Sequence, residues 1–119
     1  KGQLAIQQRA NDLGYRVSVP TIACRYDLIL ERNGKMLRAQ CKFASCEKDD
    51  GVIRCCLRKH GKNYKKHEID ILLIFIEPLQ KIVALYDKHF HNKKEVLLRY
   101  KPAQTVNGNQ CFNVNNFLW

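Results

Sequence analysis

Apolar and polar residues fall along this chain in short blocks, and the blocks predict one helix followed mostly by strands. From Gln3 to Leu13, the positions Leu4, Ala5, Gln8, Ala10 and Leu13 allow a partly apolar helical stripe, and Gly14 suits a helix stop. Tyr15-Arg16-Val17-Ser18-Val19 alternates like a short strand and ends at Pro20. Arg25 to Glu31 and Met36 to Phe43 are apolar-rich runs on either side of Asn33-Gly34, the strongest short-range hairpin signal. Ser45 to Gly51 is polar enough for a loop, and Val52 to Leu57 is a further strand. Arg58 to Glu68 holds Gly61 and Asn63 and reads as a loop or one poor helical turn. Ile69 to Ile76 and Lys81 to Tyr86 are two more strands, with Glu77-Pro78-Leu79-Gln80 as the turn between them. Beyond Pro102 the chain is Asn-rich, turns at Asn107-Gly108, and closes on Phe112, Val114, Phe117, Leu118 and Trp119. A helix first and then mostly strands predicts an α/β (α+β mixed) fold around one central sheet.

The chain has 119 residues, which suits one domain with one modest core. It begins at Lys1 rather than Met, so a few preceding residues are expected, and no signal peptide is visible. The longest apolar run, Ile69 to Ile76, is interrupted by Asp70 and is too short to span a bilayer. Six cysteines raise the question of disulfides or zinc. There is no CxxC pair, and Cys24, Cys41, Cys55 and Cys56 lie in or beside apolar segments, where a free thiol behaves as a small hydrophobe. Reduced thiols and a cytoplasmic location follow. A zinc site from Cys46, Cys55 or Cys56 with His60 and His67 would match no standard ligand spacing.

The formal net charge of +10 changes the picture more. Arg54, Arg58, Lys59, Lys62, Lys65 and Lys66 form an acid-free cluster, and Lys88, Lys93, Lys94, Arg99 and Lys101 form a second with only Glu95. Such clustering suits a polyanion, because each neutralised phosphate releases condensed counterions. The bland alternative is a solvated basic surface. An anionic membrane fits less well, since neither segment is a convincing amphipathic helix. Arg54, Arg58, Lys59, Lys62, Lys65 and Lys66 are the candidate DNA contacts, mostly to phosphate.

Candidate chemistry sits on the hairpin. Closing it at Asn33-Gly34 brings Asp27 near Gln40 and Lys42, which lie two apart and so share one face of a strand. An acid, an amide oxygen and an amine converging on one sheet edge look like a metal-dependent phosphodiesterase site. Singly, Asp27 reads as a strand-end acid, Gln40 as a solvated strand residue and Lys42 as an edge-strand lysine. Together they point to a nuclease.

The ordered set Gly2-x-Leu4, Gly14-Tyr15-Arg16-Val17, Pro20, Tyr26-Asp27-Leu28-Ile29 and Arg38-x-Gln40-x-Lys42 resembles the PD-(D/E)XK nuclease superfamily. It looks most like the cyanobacterial group I intron-encoded homing endonucleases of that superfamily, over roughly residues 1 to 87, with Tyr64 and Ile69-Asp70 fitting the family's tail. The resemblance implies a restriction-endonuclease-like core, a central mixed β-sheet flanked by helices. It implies Mg²⁺ as cofactor, double-stranded DNA as substrate, and products with 5′-phosphate and 3′-hydroxyl ends. Asp27 would be the central metal-binding carboxylate, joined by the Gln40 amide oxygen and the Cys41 carbonyl. Lys42 would orient or deprotonate the attacking water. Gln40 stands where the superfamily usually has Asp or Glu. Gln3 stands where the family's first helix carries Glu, leaving Asp27 as the one carboxylate. Two readings of Gln3 remain: an introduced Glu-to-Gln change that traps uncut DNA, or a natural Gln beside Gln7 and Gln8. One active site per chain cannot cut both strands, so a homo-oligomer (dimer or tetramer) is expected. The apolar tail, residues 106–119, would form its interface or fold back on its own core. The competing function is a non-catalytic basic DNA- or RNA-binding module.

Overall fold

The computed structural model describes residues 2–45, 51–57, 65, 67–101 and 111–119. Cys46, Arg58, Lys59, His60, Lys62, Asn63, Tyr64, Lys66 and the Asn107-Gly108 turn lie outside the described residues.

The first helix, α1 (Gly2–Asp12), ends as its glycine predicts: Gly14 takes a φ of +89°, open only to a residue without a Cβ penalty. Its stripe differs from the expected one. Ile6 and Ala10, one turn apart, are the buried anchors, whereas Leu4 faces solvent. Strand β1 (Arg16–Ser18) pairs antiparallel with β2 (Leu28–Arg32), which pairs antiparallel with β3 (Lys35–Ala44). Asn33 and Gly34 both hold positive φ, 54° and 78°, the twist that matches two right-handed strands in a two-residue hairpin.

The five-stranded sheet runs β1-β2-β3-β5-β6. Strand β4 (Val52–Cys56) leaves this sheet, so β5 (Ile71–Ile76) returns parallel to β3 after a crossover. β5 is central and covered on both faces, which explains an almost unbroken apolar run rather than an alternating one. A tight turn through Glu77–Leu79 and Gln80 (φ 51°) leads into antiparallel β6 (Lys81–Tyr86). The sheet is therefore mixed, a restriction-endonuclease-like core as expected.

Its two faces are covered differently. Ala39, Cys41, Ile71 and Leu73 pack under Ile6 and Ala10 of α1. Leu72, Ile74, Val83 and Leu85 pack under a second, three-stranded sheet of β4, β7 (Glu95–Arg99) and β8 (Phe112–Asn113). Among the described residues this second face thus carries a small sheet where a helix was expected, together with the four-residue α2 (Asp87–Phe90), which buries Phe90. β7 falls inside the segment read only as a basic cluster. Its buried Val96 and Leu98 alternate correctly, but the surrounding lysines masked the pattern.

The described part of the tail folds back. Val114 joins the core, Phe117 and Trp119 bond to the backbone of Ala84 and Ile82 beside β6, and the Trp119 ring stacks on Tyr15 at 5.8 Å. That covers the outer edge of β6. His89 meets Phe112 and Phe117 edge-on, and its Nδ1 accepts the Tyr86 N–H at 2.9 Å. Burial, aided by Lys88 and Lys93, holds the His89 pKa below its ordinary value. Folding therefore favours neutral His89. This contribution is whole above the unfolded imidazole value of about 6.5 and is lost as pH falls through the lower folded value. Thermal melts are expected to show a midpoint that drops between about pH 7 and pH 5, with a shallower drop in His89→Gln. An identical pH dependence in the two proteins would remove this linkage.

Gly2 sets how closely α1 approaches the sheet. A Cβ there would run into the Phe43 ring and lie 3.2 Å from that of Phe75. Gly2→Ala must push the half-exposed Phe43 ring outward or lift the helix end. A loss of about 1–2 kcal/mol in unfolding free energy is expected, read from urea titration, although alanine is the better helix former. Stabilisation by this change would show that the contact yields freely.

Candidate active site

Register alone places the first pair. Leu28 pairs with Ala39, so the next residue outward, Asp27, falls opposite Gln40 where the β2–β3 ladder ends. The ladder is continued by one bond, from the Asp27 N–H to the Ala39 carbonyl at 2.8 Å. The Asp27 carboxylate then turns over the end of the strand. Its Oδ2 accepts from Gln40 Nε2 at 2.8 Å and from the Cys41 backbone N–H at 3.0 Å. A carboxylate only accepts, so the Gln40 amide must present its nitrogen here.

The rest of Gln40 is unusual. It is the one polar residue among the fully buried side chains described, 5% exposed, and its Oε1 has no hydrogen-bond partner. A buried acceptor left unpaired costs about 1–3 kcal/mol. The amide nitrogen faces Asp27, so this unpaired oxygen is turned away from the carboxylate. Nε2 also lies 3.4 Å from the Cys41 carbonyl, the third oxygen of the expected ligand set.

Lys42 stands two residues further along β3, on Gln40's face, and is half-buried. This face looks toward β4. Burial pushes the Cys55 thiol up to about 11, and the charge of Lys42 pulls it the other way. The Cys41 thiol lies on the opposite face, under α1, where burial and then the charge of Asp27 raise it to about 12. Both thiols are therefore neutral hydrophobes rather than ligands. Cys55 is buried and Cys56 exposed, on opposite faces of β4, and Cys46 and His60 lie outside the described residues.

Gln3 reaches the same place from the other side. It lines a cavity of about 220 Å³ together with Asp27, walled by the β1–β2 loop through Val19, Pro20, Ile22 and Ala23. Among the described residues, no three His, Cys, Asp or Glu side chains gather in a metal-binding group. A cation at Asp27 would rely on one carboxylate and neutral oxygens.

Sequence reasoning missed two features. One is the role of the loop that walls the cavity, where Pro20 belongs to the ordered set but nothing marked Val19, Ile22 or Ala23. The other is the pairing of Arg38 with Asp70, both named in the resemblance but not brought together: Arg38, on Gln40's face, grips Asp70 through Nε at 3.1 Å and Nη2 at 3.2 Å. The Arg38 backbone N–H adds a bond to Asp70 at 2.7 Å. Burial works to raise the Asp70 pKa, but these bonds outweigh it and hold the carboxyl below its ordinary value. The Asp70 hydrogen bond in turn raises Arg38 against the opposing effect of burial. The pair ties the starts of β3 and β5 together. Of the basic candidates, Arg54 is exposed on the outer face of β4, 3.7 Å from Glu95, and Lys65 is exposed near Glu68. Arg58, Lys59, Lys62 and Lys66 lie outside the described residues.

A mixed sheet with a helix on one face and a parallel crossover between β3 and β5 is the core of a nuclease class. The model of the PD-(D/E)XK endonuclease family matches residues 1–118, and the chain belongs to that family. Its fold is similar to that of a bacterial homing endonuclease, I-Ssp6803I, with a TM-score of 0.73 and 22% identity over 87% of this chain and 74% of that one. No curated protein matches the chain.

Proposed function

We infer that this chain is a site-specific, Mg²⁺-dependent endonuclease of the intron-homing type acting on double-stranded DNA, with Gln3 in the place of an acidic ligand. The observation that carries this reading is the part-buried Asp27–Gln40 bond, with Lys42 on Gln40's face of β3 and Gln3 lining a cavity with Asp27. The residues present fit a hard cation. Asp27 supplies the charge; the Cys41 carbonyl and, once the Gln40 amide turns over so that Oε1 replaces Nε2 beside Asp27, the Gln40 oxygen would supply neutral oxygens, the donor type that Mg²⁺ takes. Bound there, Mg²⁺ would polarise the scissile phosphate and acidify a water.

The chain's own groups have separate tasks. Asp27 is oriented by two N–H donors and holds its charge toward the phosphate's position. Lys42 positions the attacking water and stabilises negative charge as the phosphorus–oxygen bond to the 3′ side breaks. Arg54, Lys65 and the basic residues around them neutralise the DNA backbone. Cutting both strands takes two such sites, so the working unit is a dimer or tetramer.

The test is cleavage of a randomised duplex DNA library in Mg²⁺ by this chain and by Gln3→Glu, side by side. Discrete cuts by Gln3→Glu support the assignment. If neither protein cuts and both bind DNA with the same salt dependence, the single-carboxylate site belongs to a non-catalytic binding module.

A further inference from the structure

The cavity that holds Asp27 and Gln3 has a wall of unexpected chemistry. In a chain of net charge +10, none of the described residues that line it is basic. Beside Cys24 and Tyr26, the wall is Val19, Pro20, Ile22 and Ala23, and two of these four are strongly exposed, Val19 at 59% and Ile22 at 79%. Phosphates gain nothing from such a surface. A DNA strand whose scissile phosphate reaches Asp27 must nonetheless lie against it, because both line one small cavity. What the wall can meet is the apolar part of a nucleotide, the deoxyribose ring and the base edge. Pro20 fixes its own φ, so part of the wall is set before DNA arrives.

We propose that the Val19–Ala23 loop is a DNA-contacting surface, with Ile22 packing against the sugar and base edge that flank the scissile phosphate. This rests on the nuclease reading of Asp27. Ile22 is a positioning residue: it places the strand, while Asp27, Gln40 and Lys42 face the phosphate. Its contact is apolar, so it adds affinity without releasing counterions. That separates it from every lysine and arginine contact, each of which steepens the salt dependence.

The experiment measures binding of a short fluorescein-labelled duplex by anisotropy, without divalent metal, over a series of KCl concentrations. The full chain is compared with Ile22→Ser, Ile22→Leu and Leu118→Ser; Leu118 is also exposed, at 47%, but lines a different cavity, beside Trp119. Ile22→Ser is expected to weaken binding about tenfold with an unchanged slope of log Kd against log [KCl], the value for losing one well-packed aliphatic contact. Ile22→Leu should restore affinity, and Leu118→Ser should leave it unchanged. Binding by Ile22→Ser within about twofold of the parent overturns the proposal, as does an equal loss in Leu118→Ser. So does a change in sedimentation of the free protein with Ile22→Ser, which would assign the loop to a second copy of the chain. A parent chain that fails to bind duplex at low salt removes the nuclease reading as well, whereas a binding parent with an indifferent Ile22→Ser removes this proposal alone.

Discussion

Gln3→Glu is expected to raise Mg²⁺-dependent DNA cleavage by about 100-fold or more, and to lower the Mg²⁺ concentration needed for half-maximal rate. Gln3 lines the cavity that contains Asp27, and Glu has nearly the same shape, so the change adds a carboxylate where a cation would sit without adding volume. Mg²⁺ sheds water reluctantly and gains most from anionic oxygen, so a second carboxylate matters more here than any neutral donor. The fold should not suffer. The first turn of α1 contains no acid, and a negative charge there meets the positive end of the helix dipole, worth about 0.3–1 kcal/mol. Cleavage rates over a Mg²⁺ series, with thermal melts in parallel, check both parts. Equal rates for the two proteins at every Mg²⁺ concentration would exclude Gln3 from the site.

Asp27→Asn, made in the Gln3→Glu protein, is expected to reduce cleavage by about 1000-fold or more while DNA binding persists. The amide keeps the carboxylate's shape but not its charge. It also disturbs the hydrogen bonds in a defined way. Oδ2 now accepts from both Gln40 Nε2 and the Cys41 N–H. An Asn oxygen can keep those two bonds, but its NH₂ must then occupy the other position, toward the phosphate. The stability cost should therefore be small, about 1 kcal/mol, against a large catalytic loss. Single-turnover cleavage, anisotropy and urea unfolding separate these effects. A catalytic loss below tenfold would show that Asp27 is a structural cap on the end of the β2–β3 ladder.

These two residues also mark how far the sequence could be read. Asp27 and Gln40 are 13 apart, yet their approach was legible, because Asn33-Gly34 closes a two-residue hairpin and antiparallel register does the rest. Gln40 and Lys42 share a face by strand periodicity alone. β5 was visible as an apolar run and α1 by its span and its terminal glycine. β7 was hidden, since lysines and Glu95 around Val96 and Leu98 made a strand look like a charge cluster. The helix stripe was placed on Leu4 rather than Ile6 because both fit a helical period, and only the sheet beneath decides which side is down.

Local chemistry thus determined the elements, the hairpin register and the face shared by Gln40 and Lys42, because each depends on residues within one turn or one ladder. Tertiary packing decided the remainder. It brought Gln3 to Asp27 through the close approach of Gly2 to Phe43, laid a three-stranded sheet over the face expected to carry a helix, and returned the tail to the edge of β6. Periodicity says which way a side chain leaves the backbone, whereas its partner across the core depends on how whole surfaces fit together.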